Sequence, residues 1–176
     1  FTEKYRMVFT PLNNRPDVNF SMEFRVTNPN PSDKNNSSTN TISSKRFPIL
    51  IYVGNNTCKI ATDNGFKVIS FDNSQLEPME MGRPIEGSAR KCYNTLEPGR
   101  YSWGSISVWA WGALRLVDYA LTRDDVDPDK IIISGHSRNG KTALLAGALD
   151  ERIAIVNPAG SGCAGAGSYL ALEENC

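Results

Sequence analysis

The sequence predicts an α/β fold with a mainly parallel sheet, and three observations support this. Short β-branched apolar runs recur along the chain, helical patterns separate them, and glycine or turn-forming residues end most of them. No internal repeat is visible. We therefore expect one partial domain over residues 1–176, with helices flanking the sheet.

Five segments are the predicted strands. Residues 20–27 alternate apolar and polar side chains, as in a half-exposed strand, whereas residues 47–53 form a continuous apolar run typical of a strand buried on both faces. The remaining strands are predicted over 66–71, 131–134 and 153–156.

The clearest helix is predicted over 105–122, where apolar residues recur at helical spacing and Ser105 can cap the start. Its stripe consists of Ile106, Ala110, Ala113, Val117 and either Ala120 or Leu121. A second helix is predicted over 140–149, and a short one is possible over 57–64, ended by Gly65.

The other segments are predicted loops. Residues 28–46 are rich in Asn, Ser, Thr and Pro and indicate a mobile surface loop, and residues 126–129 indicate a turn preorganised by Pro128. Residues 72–104 show no sustained period, and a loop of that length usually contacts ligand. Only about a dozen loop residues and a short segment over 169–174 follow the last strand, so we expect the sheet to be incomplete at the C-terminus and unstable alone.

Composition excludes several classes of protein. Hydrophobic residues make up 40% of the chain, and Lys+Arg and Asp+Glu balance at 19 each, which gives no indication of a nucleic-acid or membrane-surface partner. No apolar run approaches the roughly 20 residues of a membrane span. The chain opens at Phe1, as expected of a processed chain or a fragment, and we expect a monomer.

Cysteines and glycosylation sequons favour secretion. The four cysteines form no C-x-x-C pair, so a zinc ribbon is not expected, and either disulfides or packed thiols would suit them. Acceptor sequons begin at Asn19, Asn35, Asn36 and Asn55.

The most informative segment is 131–142, where a β-branched run ends in Gly-His-Ser-Arg-Asn-Gly and a helix pattern follows at once. A serine between a strand and a helix is the context of a nucleophile elbow, in which the residue is strained and its hydroxyl exposed. The pattern departs from G-x-S-x-G because Asn139 takes the last position and Gly140 follows it. The N–H of Arg138 is the expected oxyanion donor.

The residues around this turn make it specific. Ser-Arg-Asn-Gly-Lys at 137–141, Trp-Ala-Trp-Gly at 109–112, the glycine-rich 160–167 and residues 68–73 resemble the glucuronoyl esterases of carbohydrate esterase family 15. The resemblance runs from about Phe47 to Tyr169. It implies an α/β-hydrolase fold and cleavage of esters between lignin alcohols and glucuronic acid groups of xylan.

The resemblance also implies roles for three residues. Ser137 corresponds to the nucleophile, Arg138 to an oxyanion-stabilising residue that uses its N–H and its guanidinium, and Lys141 to a ligand of uronate hydroxyls. No metal or organic cofactor is implied.

The departures from the family pattern concern the rest of the triad. Many fungal members carry the acid in a Glu-Ser-Gly sequence where this chain has Gly160-Ser161-Gly162, so that carboxylate is absent. Other members, chiefly bacterial, place the acid on a later loop and have histidine before the nucleophile, as this chain does at His136. The family's catalytic histidine lies beyond residue 176, so this chain supplies neither the histidine nor the acid.

Simpler roles are expected for other candidate residues. Adjacent residues on an elbow point apart, so the ring of His136 should not reach the hydroxyl of Ser137. Trp109 and Trp111 should pack in the core, and Cys163 should be a packed thiol or half of a disulfide. Residues 160–167 open no helix with a trailing lysine, which argues against a nucleotide site. Three loop carboxylates should be solvated or act as local caps, namely Asp72, Glu77 and Glu80.

The sequence thus predicts a secreted serine carboxylic-ester hydrolase whose substrate is a glucuronoxylan or lignin–carbohydrate ester. Two alternatives stay open. The chain could be a catalytically silent, truncated module that binds glycans, or a serine esterase that acts on other acyl esters such as acetylated polysaccharide.

Overall fold

The computed structural model describes residues 1–30, 46–80, 83–100 and 103–167. Its strands are β1 Thr2–Phe9, β2 Phe20–Thr27, β3 Phe47–Val53, β4 Lys67–Phe71, β5 Met79–Glu80, β6 Arg83–Pro84, β7 Val126–His136 and β8 Ile155–Ala159. Its α-helices are α1 Lys59–Asp63, α2 Ser88–Leu96, α3 Ser105–Leu121 and α4 Arg138–Leu149, and residues Asn73–Gln75 form one 3₁₀ turn.

Six strands form one sheet in the order β1-β2-β4-β3-β7-β8. The pairs β3–β4, β3–β7 and β7–β8 are parallel, whereas β2 runs antiparallel to both of its neighbours. Short β5 and β6 pair separately as a two-stranded ladder. The predicted α/β fold with a mainly parallel sheet is confirmed.

Burial explains why the central strands form where the sequence predicts them. Every residue of β4 is buried, and Ile49, Ile51 and Val53 of β3 are fully enclosed. The buried lysine of β4, Lys67, is compensated by an ion pair with Asp125. The strands predicted over residues 20–27 and 47–53 have the same first and last residues in the structure.

Helix α3 packs against β3, β7 and α4 through small side chains. Ala110, Ala113, Val117 and Ala120 of the predicted stripe are completely buried, Ile106 is half-buried, and Leu121 is exposed. Small residues let the helix approach the sheet closely, which favours a tight core. No helix in the described part of the chain is both long enough and apolar enough to cross a membrane.

Residues 72–104 are more ordered than predicted. They contain the 3₁₀ turn and the nine-residue helix α2, which buries only Ala89 and Cys92 completely. Ala89, Cys92, Tyr93 and Leu96 form a short apolar stripe at helical spacing that packs on the core, so the prediction of one long loop was wrong.

Other boundaries also differ from the prediction. Strand β7 starts at Val126 and includes the expected turn, but its pairing with β3 jumps from Val126 to Ile131, so residues 127–130 lie outside the ladder. Gly104, not Ser105, is the N-cap of α3. Helix α4 starts two residues earlier than predicted, and β8 starts two residues later. Most of the predicted loop 28–46 and all of 169–174 fall outside the described residues.

Candidate active site

Ser137 forms a strained turn between β7 and α4. Its backbone angles are φ 57° and ψ −123°, a conformation that is unfavourable for a residue with a Cβ, and its side chain is exposed. The carbonyl of Ser137 accepts a hydrogen bond from the N–H of Lys141 over 3.1 Å, which ties the turn to the first turn of α4. The structure therefore has the strained, exposed serine that the sequence predicts.

Two glycines make this turn possible. A Cβ on Gly135 would lie 2.3 Å from the carbonyl oxygen of Asn139, and a Cβ on Gly140 would lie 2.8 Å from that of Ala159. Both distances are too short for any other residue. The G-x-S-x-G pattern would place its last glycine at position 139, and in this chain Gly140 takes that part in the turn.

The side chain of Asn139 is accommodated by the end of the neighbouring strand. Gly54 follows β3 with φ +124°, and a Cβ on it would lie 3.2 Å from Nδ2 of Asn139. Because Gly54 has no side chain, the Asn139 carboxamide can occupy that space. Gly54 is therefore a part of the turn that the local sequence pattern does not reveal.

The ring of His136 is directed toward β8. Its Nε2 lies 3.0 Å from the position of a Cβ on Gly160, the residue that follows β8. No hydrogen bond in the described part of the chain joins His136 to the hydroxyl of Ser137. The geometry gives His136 no contact with which to deprotonate Ser137.

Arg138 is the first residue of α4, where backbone N–H groups have no partner within the helix and the helix dipole favours negative charge. Its guanidinium is exposed, and Nη1 lies 2.8 Å from Sδ of Met79. No carboxylate in the described ranges forms an ion pair with it. A full positive charge and a free N–H therefore lie beside Ser137, as oxyanion stabilisation requires.

Lys141 lies one helical turn after Ser137 and is half-buried. Its ammonium donates a hydrogen bond to the carbonyl oxygen of Cys163, in the loop after β8. An ammonium has three N–H donors, and the described residues engage one of them. The contact with Cys163, which is disulfide-bonded, places Lys141 on the β8 side of Ser137.

The loop after β8 begins with Gly160, Ser161 and Gly162 and carries no carboxylate at these positions. Gly160 has φ +53°, and Gly162 has φ +57°, both in the left-handed region that favours glycine. Between them, Ser161 is buried, and its hydroxyl accepts a hydrogen bond from the N–H of Ala166 over 2.9 Å. This loop is closed by its own hydrogen bonds.

An open cavity of about 270 Å³ lies over Ser137. Residues of β7, α4, α3 and the segment after β4 line it: Asn73, Ser74, Met79, Trp109, His136, Ser137, Arg138 and Asn139. Three of these residues, Asn73, Ser74 and Met79, were not predicted as site residues. Asn73 and Ser74 have one signal, their place directly after the buried strand β4, since parallel strands bring their carboxyl ends to one edge of the sheet. Met79 lies in β5 and has no such signal.

A buried ion pair fixes the segment after β4, which lines one side of the cavity. Glu77 is fully enclosed, its carboxylate accepts two hydrogen bonds from Arg90, at 2.7 and 2.5 Å, and it accepts a third from Ser105 Oγ at 2.8 Å. Its backbone carbonyl accepts a hydrogen bond from Trp109 Nε1 over 2.7 Å. The expectation of a solvated or capping Glu77 was wrong, because Arg90, on a helix that the sequence did not reveal, compensates the charge.

Other minor expectations have mixed outcomes. Asp72 is a local cap, as expected, since its carboxylate accepts a hydrogen bond from Ser74 N over 3.0 Å. Trp109 is buried, and Trp111 packs on the core, which confirms both as packing residues. Cys58 and Cys92 are free. The side chain of Glu80 lies outside those that the structure describes.

No group of three or more His, Cys, Asp or Glu side chains in the described ranges is arranged to hold a metal ion. The chemistry available at the cavity is that of a hydroxyl nucleophile beside a guanidinium and a helix N-terminus.

Comparison with known proteins gives this site its context. The family model "Glucuronyl esterase, fungi" matches residues 20–175. The chain is 35% identical over 130 residues to 4-O-methyl-glucuronoyl methylesterase 1 of Sodiomyces alcalophilus, which covers 70% of this chain and 24% of the relative. It is 32% identical over 125 residues to the 4-O-methyl-glucuronoyl methylesterase of Podospora anserina, covering 69% of this chain and 25% of the relative.

Solved structures of glucuronoyl esterases are similar to this chain as well. A carbohydrate esterase family 15 glucuronoyl esterase from Caldicellulosiruptor kristjansonii superposes with a TM-score of 0.64 at 26% identity, over 91% of this chain and 45% of that one. A glucuronoyl esterase from Sporotrichum thermophile, in complex with methyl 4-O-methyl-β-D-glucopyranuronate, gives a TM-score of 0.65 at 25% identity, over 93% of this chain and 39% of that one. The chain spans about a quarter of the length of the curated relatives and under half of these structures. With its α/β-hydrolase sheet and its match over residues 20–175, the chain belongs to the glucuronoyl esterases of carbohydrate esterase family 15.

Proposed function

We propose that residues 1–176 form part of the catalytic domain of a secreted, monomeric esterase that cleaves esters of 4-O-methyl-glucuronic acid in lignin–xylan material. The observation that carries this proposal is the strained turn of Ser137, which is followed by Arg138 at the start of α4. The curated relatives named above are 4-O-methyl-glucuronoyl methylesterases, and one solved relative binds a methyl glucuronate.

In the proposed reaction, Ser137 Oγ attacks the carbonyl carbon of the ester while a base elsewhere in the full-length protein takes the hydroxyl proton. The oxyanion is stabilised by the N–H and the guanidinium of Arg138. The tetrahedral intermediate then expels the alcohol, which takes a proton from the conjugate acid of that base. Water hydrolyses the resulting acyl-enzyme and releases the uronate.

Lys141 is proposed to bind uronate hydroxyls through the two N–H groups that its bond to Cys163 leaves available. This role places the sugar ring on the β8 side of Ser137. Replacing Lys141 with Met keeps the apolar stem and removes the donors, so KM for a glucuronate ester should rise at least about tenfold while kcat changes less.

The full-length natural protein tests the proposal, with methyl 4-O-methyl-glucuronate as substrate. Ser137→Ala should abolish turnover, whereas Ser107→Ala, which removes an exposed hydroxyl from α3, should leave it within about twofold. Wild-type activity on p-nitrophenyl acetate with none on the glucuronate ester would overturn the substrate assignment and favour an esterase for other acyl groups. No activity on either substrate would favour a silent module.

A further inference from the structure

Asn73 is a polar residue of the cavity to which the proposed mechanism gives no role. It begins the 3₁₀ turn after β4, it is 8% exposed, and it lines the cavity over Ser137. Its carboxamide has no hydrogen-bond partner among the residues that the structure describes. Neither amide atom is fully enclosed, so both can be reached from the cavity.

The lack of a hydrogen-bond partner distinguishes the side chain of Asn73 from those of its neighbours in the segment. Asp72 accepts hydrogen bonds from the N–H and hydroxyl of Ser74, at 3.0 and 2.7 Å. Gln75 exchanges hydrogen bonds with the backbone of Glu23, at 2.9 and 3.1 Å. Asn73 is thus a largely buried residue whose carboxamide has no partner in the described ranges and faces the cavity, so a bound ligand can take its hydrogen bond.

Sheet register places Asn73 opposite the nucleophile. Phe71 of β4 pairs with Val53 of β3, and Val53 pairs with Gly135 of β7, so these three residues form one row across the sheet. Asn73 and Ser137 each lie two residues past that row. Their strands are separated by two strand spacings, about 10 Å.

On the intervening strand, the carboxamide of Asn139 lies against Gly54, which follows Val53. One open cavity nevertheless extends over both positions, since Asn73 and Ser137 both line it. Arg138 reaches across this space, since its guanidinium contacts Met79 on the same wall as Asn73. A group bound over Ser137 would therefore have the guanidinium and the carboxamide on one side.

Resting on the proposed serine-esterase function, we propose that the Asn73 carboxamide N–H donates a hydrogen bond to the ester carbonyl oxygen and strengthens that bond as the oxyanion forms. A neutral donor adds to the field of Arg138 without repelling its charge. Preorganised side-chain amides are known oxyanion donors in other hydrolases. Asn73 would thus be a catalytic residue that acts from the wall opposite α4.

The test uses the full-length natural protein, with kcat and KM measured on methyl 4-O-methyl-glucuronate and on p-nitrophenyl acetate. Asn73→Ala and the isosteric Asn73→Asp should each lower kcat about 100-fold, with KM within about threefold. The control Asn64→Ala removes a carboxamide from the end of α1, and it should leave kcat within about twofold. Melting temperatures of the Asn73 variants should agree with that of the wild type within about 3 °C, since the Asn73 carboxamide has no partner to lose among the described residues.

Unchanged kcat with a raised KM would overturn the inference, because it would make Asn73 a ligand of a sugar or alcohol hydroxyl. A matching fall in melting temperature and kcat would also overturn it in favour of a structural role. The second substrate separates this test from that of the proposed function. If the wild type cleaves only the acetate, the glucuronate assignment fails, while a 100-fold loss of kcat on the acetate in Asn73→Ala still supports the inference.

Discussion

The backbone N–H of Ser137 donates a hydrogen bond to the carbonyl oxygen of Ala159 over 2.9 Å. Ala159 ends β8, which pairs with β7 up to His136. The strained residue is therefore held by the neighbouring strand as well as by its own helix. This relationship explains how the fold maintains a conformation that the serine itself disfavours.

The strain at Ser137 predicts that glycine is more favourable than alanine at this position, the reverse of their order at an ordinary helical position. Glycine tolerates φ 57° and ψ −123°, so Ser137→Gly should be more stable than Ser137→Ala by about 1 kcal/mol. Chemical denaturation of the two full-length variants measures this difference. At the exposed helical position 148, Ala148→Gly should instead destabilise by up to about 1 kcal/mol. Equal stabilities of the two Ser137 variants would show that the turn is not strained.

Introducing the acid of the fungal pattern should fail here. Gly160→Glu requires a left-handed backbone and places a Cβ 3.0 Å from Nε2 of His136. We expect a loss of about 2 kcal/mol in the free energy of unfolding, without a gain in kcat.

Gly99 offers a matched control for this change. It has φ +75°, and nothing lies within 4 Å of a Cβ there, so Gly99→Glu isolates the backbone cost. The excess loss in Gly160→Glu should disappear when His136→Ala is added. A double variant as unstable as Gly160→Glu would contradict the assigned contact.

The buried pair of Glu77 and Arg90 should be a large contributor to stability. Glu77→Gln removes the carboxylate that is hydrogen-bonded to the guanidinium of Arg90, which is 14% exposed, and it should cost about 3 kcal/mol. Glu97→Gln breaks an exposed pair with Arg100 and should cost at most about 0.5 kcal/mol. Urea unfolding of both variants gives the comparison, and similar losses would rule out a special role for the buried pair.

Asp150 gives a pH dependence with a definite sign. Hydrogen bonds from Arg152 lower the pKa of the Asp150 carboxyl below its ordinary value of 3.8. The folded state therefore binds this proton less tightly than the unfolded chain, and the resulting stability is present above about pH 4 and is lost as the pH falls further. Asp150→Asn should destabilise by about 1 kcal/mol at pH 7 and by clearly less at pH 3. Thermal unfolding at the two values measures this, and a constant difference would contradict it.

Local sequence was sufficient for much of the fold. Alternation identified β2 and a continuous apolar run identified β3, because each pattern reports burial of the strand that carries it. Helix α2 was missed although Ala89, Cys92, Tyr93 and Leu96 form an apolar stripe, because nine residues hold only one repeat of the pattern. The edge strand β1 was also missed, although Tyr5, Met7 and Phe9 alternate along it and pack against the core.

The residues of the candidate site also divide into those that local sequence indicates and those that it does not. Ser137, Arg138 and Lys141 lie within five residues of one another and were predicted together from that one segment. Asn73 and Met79 reach the cavity only through the parallel pairing of β4, β3 and β7, which no local pattern reveals. The contact of Lys141 with the carbonyl of Cys163 joins residues far apart in the chain and was likewise beyond a local prediction.

The central claim is that Ser137 is the nucleophile of a glucuronoyl esterase. The most direct measurement is hydrolysis of methyl 4-O-methyl-glucuronate by the full-length protein, followed by mass spectrometry of the peptide around residue 137 after rapid acid quenching. We predict turnover in the wild type, a glucuronoyl adduct on Ser137, and neither in Ser137→Ala. Turnover that persists in Ser137→Ala would contradict the account.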